Sequence, residues 1–284
     1  MGDTNEIPPG VLKEFDVADP KFIIKTNIAR IWKVRSQQGL AALKIYHKPN
    51  MGNEAGGFRF IKSLHGKSAA RVFQTGQNIA LSEWLDGPSL GDLTRENNDQ
   101  EASLHLVNVA NSIHSQTRNL GLILPSLETW FSALFALKFA PDCPTKAQQN
   151  IVLCQKLASH LLSSQTDIRP LHGDLHHDNI RHGKRGYCAF DAKGISGERA
   201  YELANAFRNP KGAAAVVASP ARLRFVLKTW AQAFNVDQKR LLQWACVKIA
   251  LSISWRCDKL LHDDAELELL GIFLDELNAY ESLC

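Results

Sequence analysis

The periodicity of the chain changes once, near DGPSL (86–90). Before that point apolar residues recur as they do in strands. FIIKT (22–26), RIWKVR (30–35), LAALKIYH (40–47) and NIALSEW (78–84) are short and rich in β-branched and aromatic residues, and polar turns separate several of them. One helical interlude, EAGGFRFIKSLHG, places Phe58, Ile61 and Leu64 at helical spacing, and Gly66 suits its C-terminal cap. After residue 90 the spacing is mainly helical. EASLHLVNVANSIHSQ (101–116) puts Leu104, Val107, Ala110, Ile113 and His114 on one face. LETWFSALFAL, QQNIVLCQKLASHLL, ARLRFVLKTWAQAF, KRLLQWACVKIALSISW and DDAELELLGIFLDELNAY follow, separated by loops with proline or glycine. A single strand, GYCAFD (186–191), interrupts them. The expectation is an α+β molecule of two lobes around a cleft: a small β-rich N-terminal lobe (1–86) and a larger, mainly helical C-terminal lobe (87–284).

Composition narrows the class. At 284 residues, 45% hydrophobic and 22% charged, the chain matches an ordinary globular enzyme or binding protein. Its net charge of +4 is slight and no run of five basic residues occurs, which argues against a dedicated nucleic-acid binder. WFSALFALKFA and VKIALSISW are too short or interrupted to span a bilayer, so no membrane partner is expected. The first sixteen residues have no apolar core segment, and Glu6 stands where a myristoylation site needs Ser or Thr. The six cysteines (143, 154, 188, 246, 257, 284) form no C-x-x-C pair and read as reduced thiols, several buried. The expected location is the cytoplasm.

LHGDLHHDNI (171–180) carries three histidines, two aspartates and an asparagine in ten positions. A zinc site is one reading, through His172, His176, His177 and Asp178, although Gly173 and Asn179 fit it badly and no H-E-x-x-H helix is present. A catalytic loop of the kinase type, H-x-D-L-x-x-x-N, fits position by position with His172, Asp174, Leu175 and Asn179. CAFDAKG supplies the second metal-binding carboxylate, Asp191, at a strand end. Phosphoryl transfer builds charge on the nucleotide oxygens, so Mg²⁺ must bridge them, while a separate carboxylate takes the proton of the attacking hydroxyl. Asn179 and Asp191 are the hard-oxygen ligands such a metal accepts, and Asp174 is the base.

This reading makes demands upstream. ALKIY puts Lys44 on the third strand of the small lobe, and Glu54 opens the helix that should hold it. ALSEWLDG leads into the lobe connection, where the carbonyl of Glu83 and the N–H of Leu85 are expected to bind adenine. The glycine-rich phosphate loop is absent. The first turn is TNIARIW, so Thr26, Asn27 and the backbone at 27–29 must cover the phosphates.

Only a handful of residues separate Asp191 from the apparent helix ERAYELANAF, too few for a peptide-docking segment, so the acceptor is expected to be a small molecule. HGDLHHDN, FDAKGISGE and AYELANAFRNP resemble the aminoglycoside phosphotransferase family, and within it the streptomycin 6-phosphotransferase and hydroxyurea-resistance kinase branch. The resemblance extends weakly upstream through IWKV, LKIY and the Glu54 helix. It implies a bilobal protein-kinase-like fold, ATP and Mg²⁺ as cosubstrates, and transfer of the γ-phosphate to a hydroxyl of an aminoglycoside-like antibiotic of the streptomycin type. Carried over by residue, it makes Asp174 the base, Asn179 and Asp191 metal ligands and Lys44 the phosphate-binding lysine. Ala192 departs from the branch, which often has proline there. A nucleotide-binding pseudoenzyme, or a kinase of hydroxyurea or another metabolite, stays open.

A cationic acceptor needs carboxylates. The stretch 258–281 is acidic, and Asp258, Asp263 and Asp264 at its start are candidates for that wall, as is Asp92 just past the lobe connection. Glu202, in AYELAN, is expected to hold the loop beneath the site.

Overall fold

A computed structural model describes residues 6–117 and 120–282. The chain opens with the single turn α1 (Val11–Glu14), then β1 (Val17–Lys25), β2 (Ala29–Ser36), β3 (Gly39–Tyr46), α2 (Glu54–Ser63), β4 (Val72–Thr75) and β5 (Ile79–Glu83). The strands form one antiparallel sheet in the order β1-β2-β3-β5-β4. Alternation along β3 decides what each face does. Ala41, Leu43 and Ile45 point with Trp32, Val34, Ile79 and Leu81 into a small core closed by Val11, Phe15 and Val17. Ala42 and Lys44 therefore face the other way, into the interlobe cleft. The short strand β4 went unmarked in the sequence because VFQT is only four residues and half-exposed.

The larger lobe contains α3 (Leu90–Arg95), α4 (Asp99–Thr117), α5 (Leu127–Phe135), β6 (Lys138–Phe139), α6 (Thr145–Ser163), β7 (Ile168–Leu171), β8 (Ile180–Gly183), β9 (Gly186–Ala189), β10 (Ile195–Glu198), α7 (Ala214–Val217), α8 (Pro220–Phe234), α9 (Gln238–Arg256), β11 (Leu260–Leu261) and α10 (Leu267–Ser282). The bilobal, protein-kinase-like α+β architecture expected from the sequence is therefore present. Its core is centred on α9, which buries residues all round its circumference, Trp244 and Lys248 among them. Three short strand pairs frame the loops at the cleft: β7 with β10, the β8–β9 hairpin, and the parallel β6–β11 bridge.

Two expectations need correction. Leu104 is 47% exposed, while the buried face of α4 runs through Leu106, Val107, Ala110, Ile113, His114 and Thr117. At 100° per residue Leu104 lies roughly 120° from Ala110, outside that stripe. The segment ERAYELANAF is not an α-helix but two 3-10 turns, Arg199–Leu203 and Ala206–Arg208. Glu202 in the first turn, Asn205 just before the second and Arg208 at its end reach the catalytic loop in series: Glu202 to the His172 and Gly173 N–H groups, Asn205 to Asp174, and Arg208 to Asn205. Among the described residues no helix is long and apolar enough to cross a membrane. Cys143, Cys154, Cys188, Cys246 and Cys257 are free thiols, and Cys284 lies outside the described residues.

Candidate active site

The interlobe cleft has a volume of about 800 Å³, and Asn27, Lys44, Glu54, Glu83, Leu85 and Asp191 all line it. Lys44 Nζ lies 2.6 Å from Glu54 Oε2 and 2.9 Å from Asp191 Oδ1. A second lysine, Lys193, lies 3.0 Å from Glu54 Oε1 and 4.0 Å from Asp174 Oδ2. One buried carboxylate therefore holds two ammonium groups, each of which also reaches an aspartate of a different loop. Burial and Asp191 push the Glu54 pKa up, but Lys44 and Lys193 outweigh them and hold it below the usual value. For Asp191, burial again raises the pKa, yet the same two lysines bring it down to about 2, so this carboxyl is ionised at any ordinary pH. The Tyr46 hydroxyl donates to Glu54, and burial, then Glu54, raises its pKa.

The glycines of EAGG explain why Glu54 reaches this place. A Cβ on Gly57 would lie 1.7 Å from the carbonyl oxygen of Ala192, so α2 packs backbone against backbone on the loop after Asp191. The helix tolerates two poor helix formers because the contact demands them. Asp191 itself has φ 59°, a left-handed conformation unusual outside glycine. Strain of this kind persists where the surroundings over-determine it.

The catalytic-loop sequence folds as a set of braces around Asp174. Glu202 accepts from the backbone N–H groups of His172 (2.8 Å) and Gly173 (3.1 Å) and lies 2.9 Å from His114 Nε2. Burial raises its pKa, but His114 and then His172 bring it below the usual carboxylate value, so it works as an anion in the core. This is the supporting position that the sequence suggested for it. His172 places Nε2 3.0 Å from the Phe190 carbonyl, and its Nδ1 accepts the Asp174 N–H at 3.3 Å. Burial lowers its pKa, so the neutral ring suits these two bonds. Asn179 Nδ2 donates to the Asp174 carbonyl at 3.0 Å, tying the two ends of the loop together.

Sequence reasoning missed Asn205, whose Nδ2 donates to Asp174 Oδ1 at 2.8 Å, and Arg208, which donates to Asn205 Oδ1 at 3.0 Å. Their signal was the i, i+3 spacing from Glu202 within ERAYELANAF, a segment read as a helix and as part of the family motif. It also missed Lys193, present only as a family-pattern residue. At the first turn, Thr26 replaces glycine. Its hydroxyl donates to the Ala29 carbonyl and accepts the Ala29 N–H, both at 3.0 Å, closing the turn that carries Asn27. At the lobe connection, the Glu83 carboxylate accepts the Arg71 N–H at 3.0 Å and pairs with Arg185.

The four expected acceptor carboxylates do not form a free acidic wall. Asp92 is the N3 residue of the capping box of α3 and pairs with Arg95 at 2.7 Å. Asp264 binds Arg256 through two bonds of 2.8 and 2.6 Å. Asp258 and Asp263 are exposed and do not line the interlobe cleft. The loop and helix-start residues instead serve their own caps and arginines, as carboxylates at helix N-termini do. The zinc reading also fails geometrically: His177 is fully buried against Trp230, and Asp178 pairs with Arg95 at 3.0 Å. Among the described residues no three His, Cys, Asp or Glu side chains are disposed to share a metal ion.

Comparison with known proteins agrees with this arrangement. Residues 15–259 match the family described as aminoglycoside/hydroxyurea antibiotic resistance kinase. The streptomycin 3''-kinase of Klebsiella pneumoniae is 30% identical over 240 residues, covering 82% of this chain and 86% of that protein. Among solved structures, the aminoglycoside phosphotransferase APH(4)-Ia superposes with a TM-score of 0.65 at 12% identity, covering 95% of this chain and 96% of its own. A choline/ethanolamine kinase family protein from Mesorhizobium loti gives a TM-score of 0.62 at 11% identity, covering 92% and 87%. At such identities these structures speak for the fold, while the matched family and the streptomycin kinase speak for the chemistry. The chain belongs to the aminoglycoside/hydroxyurea antibiotic resistance kinase family and is a phosphotransferase acting on hydroxyl groups.

Proposed function

We propose that this enzyme transfers the γ-phosphate of ATP to a hydroxyl of an aminoglycoside of the streptomycin type. The observation that carries the reading is the shared Glu54: Lys44 and Lys193 meet on it and extend to Asp191 and Asp174 respectively. That network spaces a phosphate-binding charge, a metal-binding carboxylate and a base around one cleft. The streptomycin 3''-kinase relative supports the acceptor class.

In this reading the Glu83 carbonyl and the Leu85 N–H hold adenine, and the turn at Asn27 covers the phosphates. Lys44 neutralises charge on the nucleotide, and Glu54 keeps its side chain in the cleft. Asp174 accepts the proton of the acceptor hydroxyl, with Asn205 fixing its carboxylate and Lys193 offsetting its charge. The donor set fits Mg²⁺. Asp191 is ionised, and Asn179 spends its amide N–H on Asp174 and so keeps its carbonyl oxygen for a hard cation. When bound, Mg²⁺ would supply positive charge that offsets the negative charge built up in phosphoryl transfer. Asn179 and Asp191 would hold it.

The test is incubation with ATP, Mg²⁺ and a panel that includes streptomycin, other aminoglycosides and hydroxyurea, read by mass of the product. One added phosphate on streptomycin is the expected result. Phosphorylation of hydroxyurea alone would replace the aminoglycoside reading, and no transfer to any acceptor despite MgATP binding would favour a pseudoenzyme.

A further inference from the structure

Arg181 lines the interlobe cleft together with Leu85 and Phe190. It is the second residue of β8, and alternation along that strand separates it from its neighbour Ile180, which is fully buried in the core of the larger lobe. Its antiparallel partner on β9 is Cys188. Paired residues of an antiparallel ladder project from the same face. Cys188 packs with Leu85, Ala70 and Phe190, so Arg181 shares the face that looks toward the lobe connection. The strand is fixed there by its backbone: the Gly87 N–H donates to the His182 carbonyl and the His182 N–H to the Pro88 carbonyl, both at 2.9 Å.

The opposite wall of the cleft is apolar. Ile24 pairs with Ile31 on β1 and β2, and Ile31 pairs with Lys44 on β3, so these residues share the sheet face that carries Lys44 and Ala42 into the cleft. Ile24 is 50% exposed there, a large apolar side chain with nothing yet laid against it. The cleft beside the lobe connection is thus a slot with an aliphatic roof on the sheet and a floor that carries a guanidinium.

The guanidinium is held rather than consumed. Its one charged neighbour among the described residues is Asp92, whose Oδ2 lies 3.5 Å from Nη2. That carboxylate is already engaged, by Arg95 at 2.7 Å and by the Ser89 N–H at 2.8 Å. An exposed pair of such length contributes little to stability. It orients a planar cation that still has a face to offer. Guanidinium planes stack on aromatic faces, which an ammonium does not reproduce.

We propose that Arg181 is a substrate-binding residue of the nucleotide site: its guanidinium, steadied by Asp92, stacks under the face of the nucleobase, which Ile24, Ile31 and Ala42 cover from above. This rests on the reading of the cleft as the ATP site. It gives the Asp92 carboxylate a part in the nucleotide half of the reaction, and it gives the base an attachment that depends on its ring face and not on its edge.

The test is calorimetric binding of MgATP and of uncharged adenosine to three proteins, with no acceptor present. Arg181→Met keeps an unbranched side chain and removes charge and plane together. It should weaken both ligands about tenfold, as loss of a stacked guanidinium does, while Tm moves by less than about 2 °C because only an exposed pair is lost. Arg181→Lys keeps the charge without the plane, and should weaken adenosine nearly as much. In steady-state kinetics the KM for MgATP should rise about tenfold in Arg181→Met, with the streptomycin KM at saturating MgATP unchanged. Unaltered adenosine binding in Arg181→Met overturns the proposal even if MgATP weakens, because the residue then acts only through its charge on the phosphates. Full adenosine affinity in Arg181→Lys overturns it as well. A wild type that binds neither ligand overturns both this proposal and the ATP reading. A wild type that binds MgATP but phosphorylates no acceptor defeats the acceptor reading alone, and the binding comparison still decides for Arg181.

Discussion

The proposed nucleotide side and the proposed acceptor side of the cleft handle charge in opposite ways. On the nucleotide side each charged group is answered by another: Lys44 and Lys193 by Glu54, and Asp191 by Lys44. On the acceptor side the carboxylates are consumed by arginines, and buried Lys248 forms no ion pair among the described residues. The first half is assembled in advance, so binding there exchanges existing ion pairs for new ones.

The largest effect expected is at the junction of the two halves. Asp174→Asn keeps the shape of the loop and should lower kcat for the accepted aminoglycoside by about 10²–10⁴-fold, while MgATP binding measured by calorimetry persists. Equal rates for the two proteins would remove Asp174 as the base and break the comparison at its centre.

The next test separates the halves by pH. The folded-state pKa of Lys248, lowered by burial to about 8, lies below the ordinary lysine value of 10.5. Below pH 8 the ammonium is charged in both states and the full destabilisation, about 3 kcal/mol, is present. Between pH 8 and 10.5 the unfolded chain binds the extra proton, so stability rises with pH, and above that range the term vanishes. Urea unfolding of wild type and Lys248→Met across pH 7–10 should show their difference shrinking as pH rises. A pH-independent difference would mean that the lysine is not held charged in the core.

Gly57→Ala probes the nucleotide side. The added methyl would meet the Ala192 carbonyl at 1.7 Å, so α2 must retreat and take Glu54 with it. A displacement of about 1 Å costs about 10²-fold in kcat/KM where positioning matters, and the measurement is steady-state kinetics in MgATP. The smallest effect belongs to the carboxylates set aside above. Asp258→Ala and Asp263→Ala should change the streptomycin KM by about twofold at most, as exposed charges do. A larger change in either would restore an acidic wall and weaken the contrast between the two sides.

Much of the Lys44–Glu54–Asp191 network was legible in the chain. The order Lys44, Glu54, Asp174, Asn179, Asp191 is set by spacing and by strand or helix period, and the lysine's direction follows from alternation along one strand. The Leu104 and ERAYELANAF expectations failed for a common reason: a periodic pattern does not say how wide a helix is buried, or that a turn will tighten to place residues 202, 205 and 208 on one side. The acidic stretch failed because composition counts carboxylates but not the arginines, such as Arg208 and Arg256, that the fold brings to them.

The sequence by itself therefore determined the two-lobe architecture, the order of Lys44, Glu54, Asp174, Asn179 and Asp191 along the chain, and the phosphotransferase family. Local periodicity and fixed spacing inside short loops carry that information. Only the tertiary structure decided that Glu54 holds two lysines, that Asn205 positions Asp174, and that Lys248 is buried without an anion. Those are facts about which distant charges meet in a medium of low polarity, and no local pattern encodes a pairing made between residues 54 and 193, or withheld at residue 248.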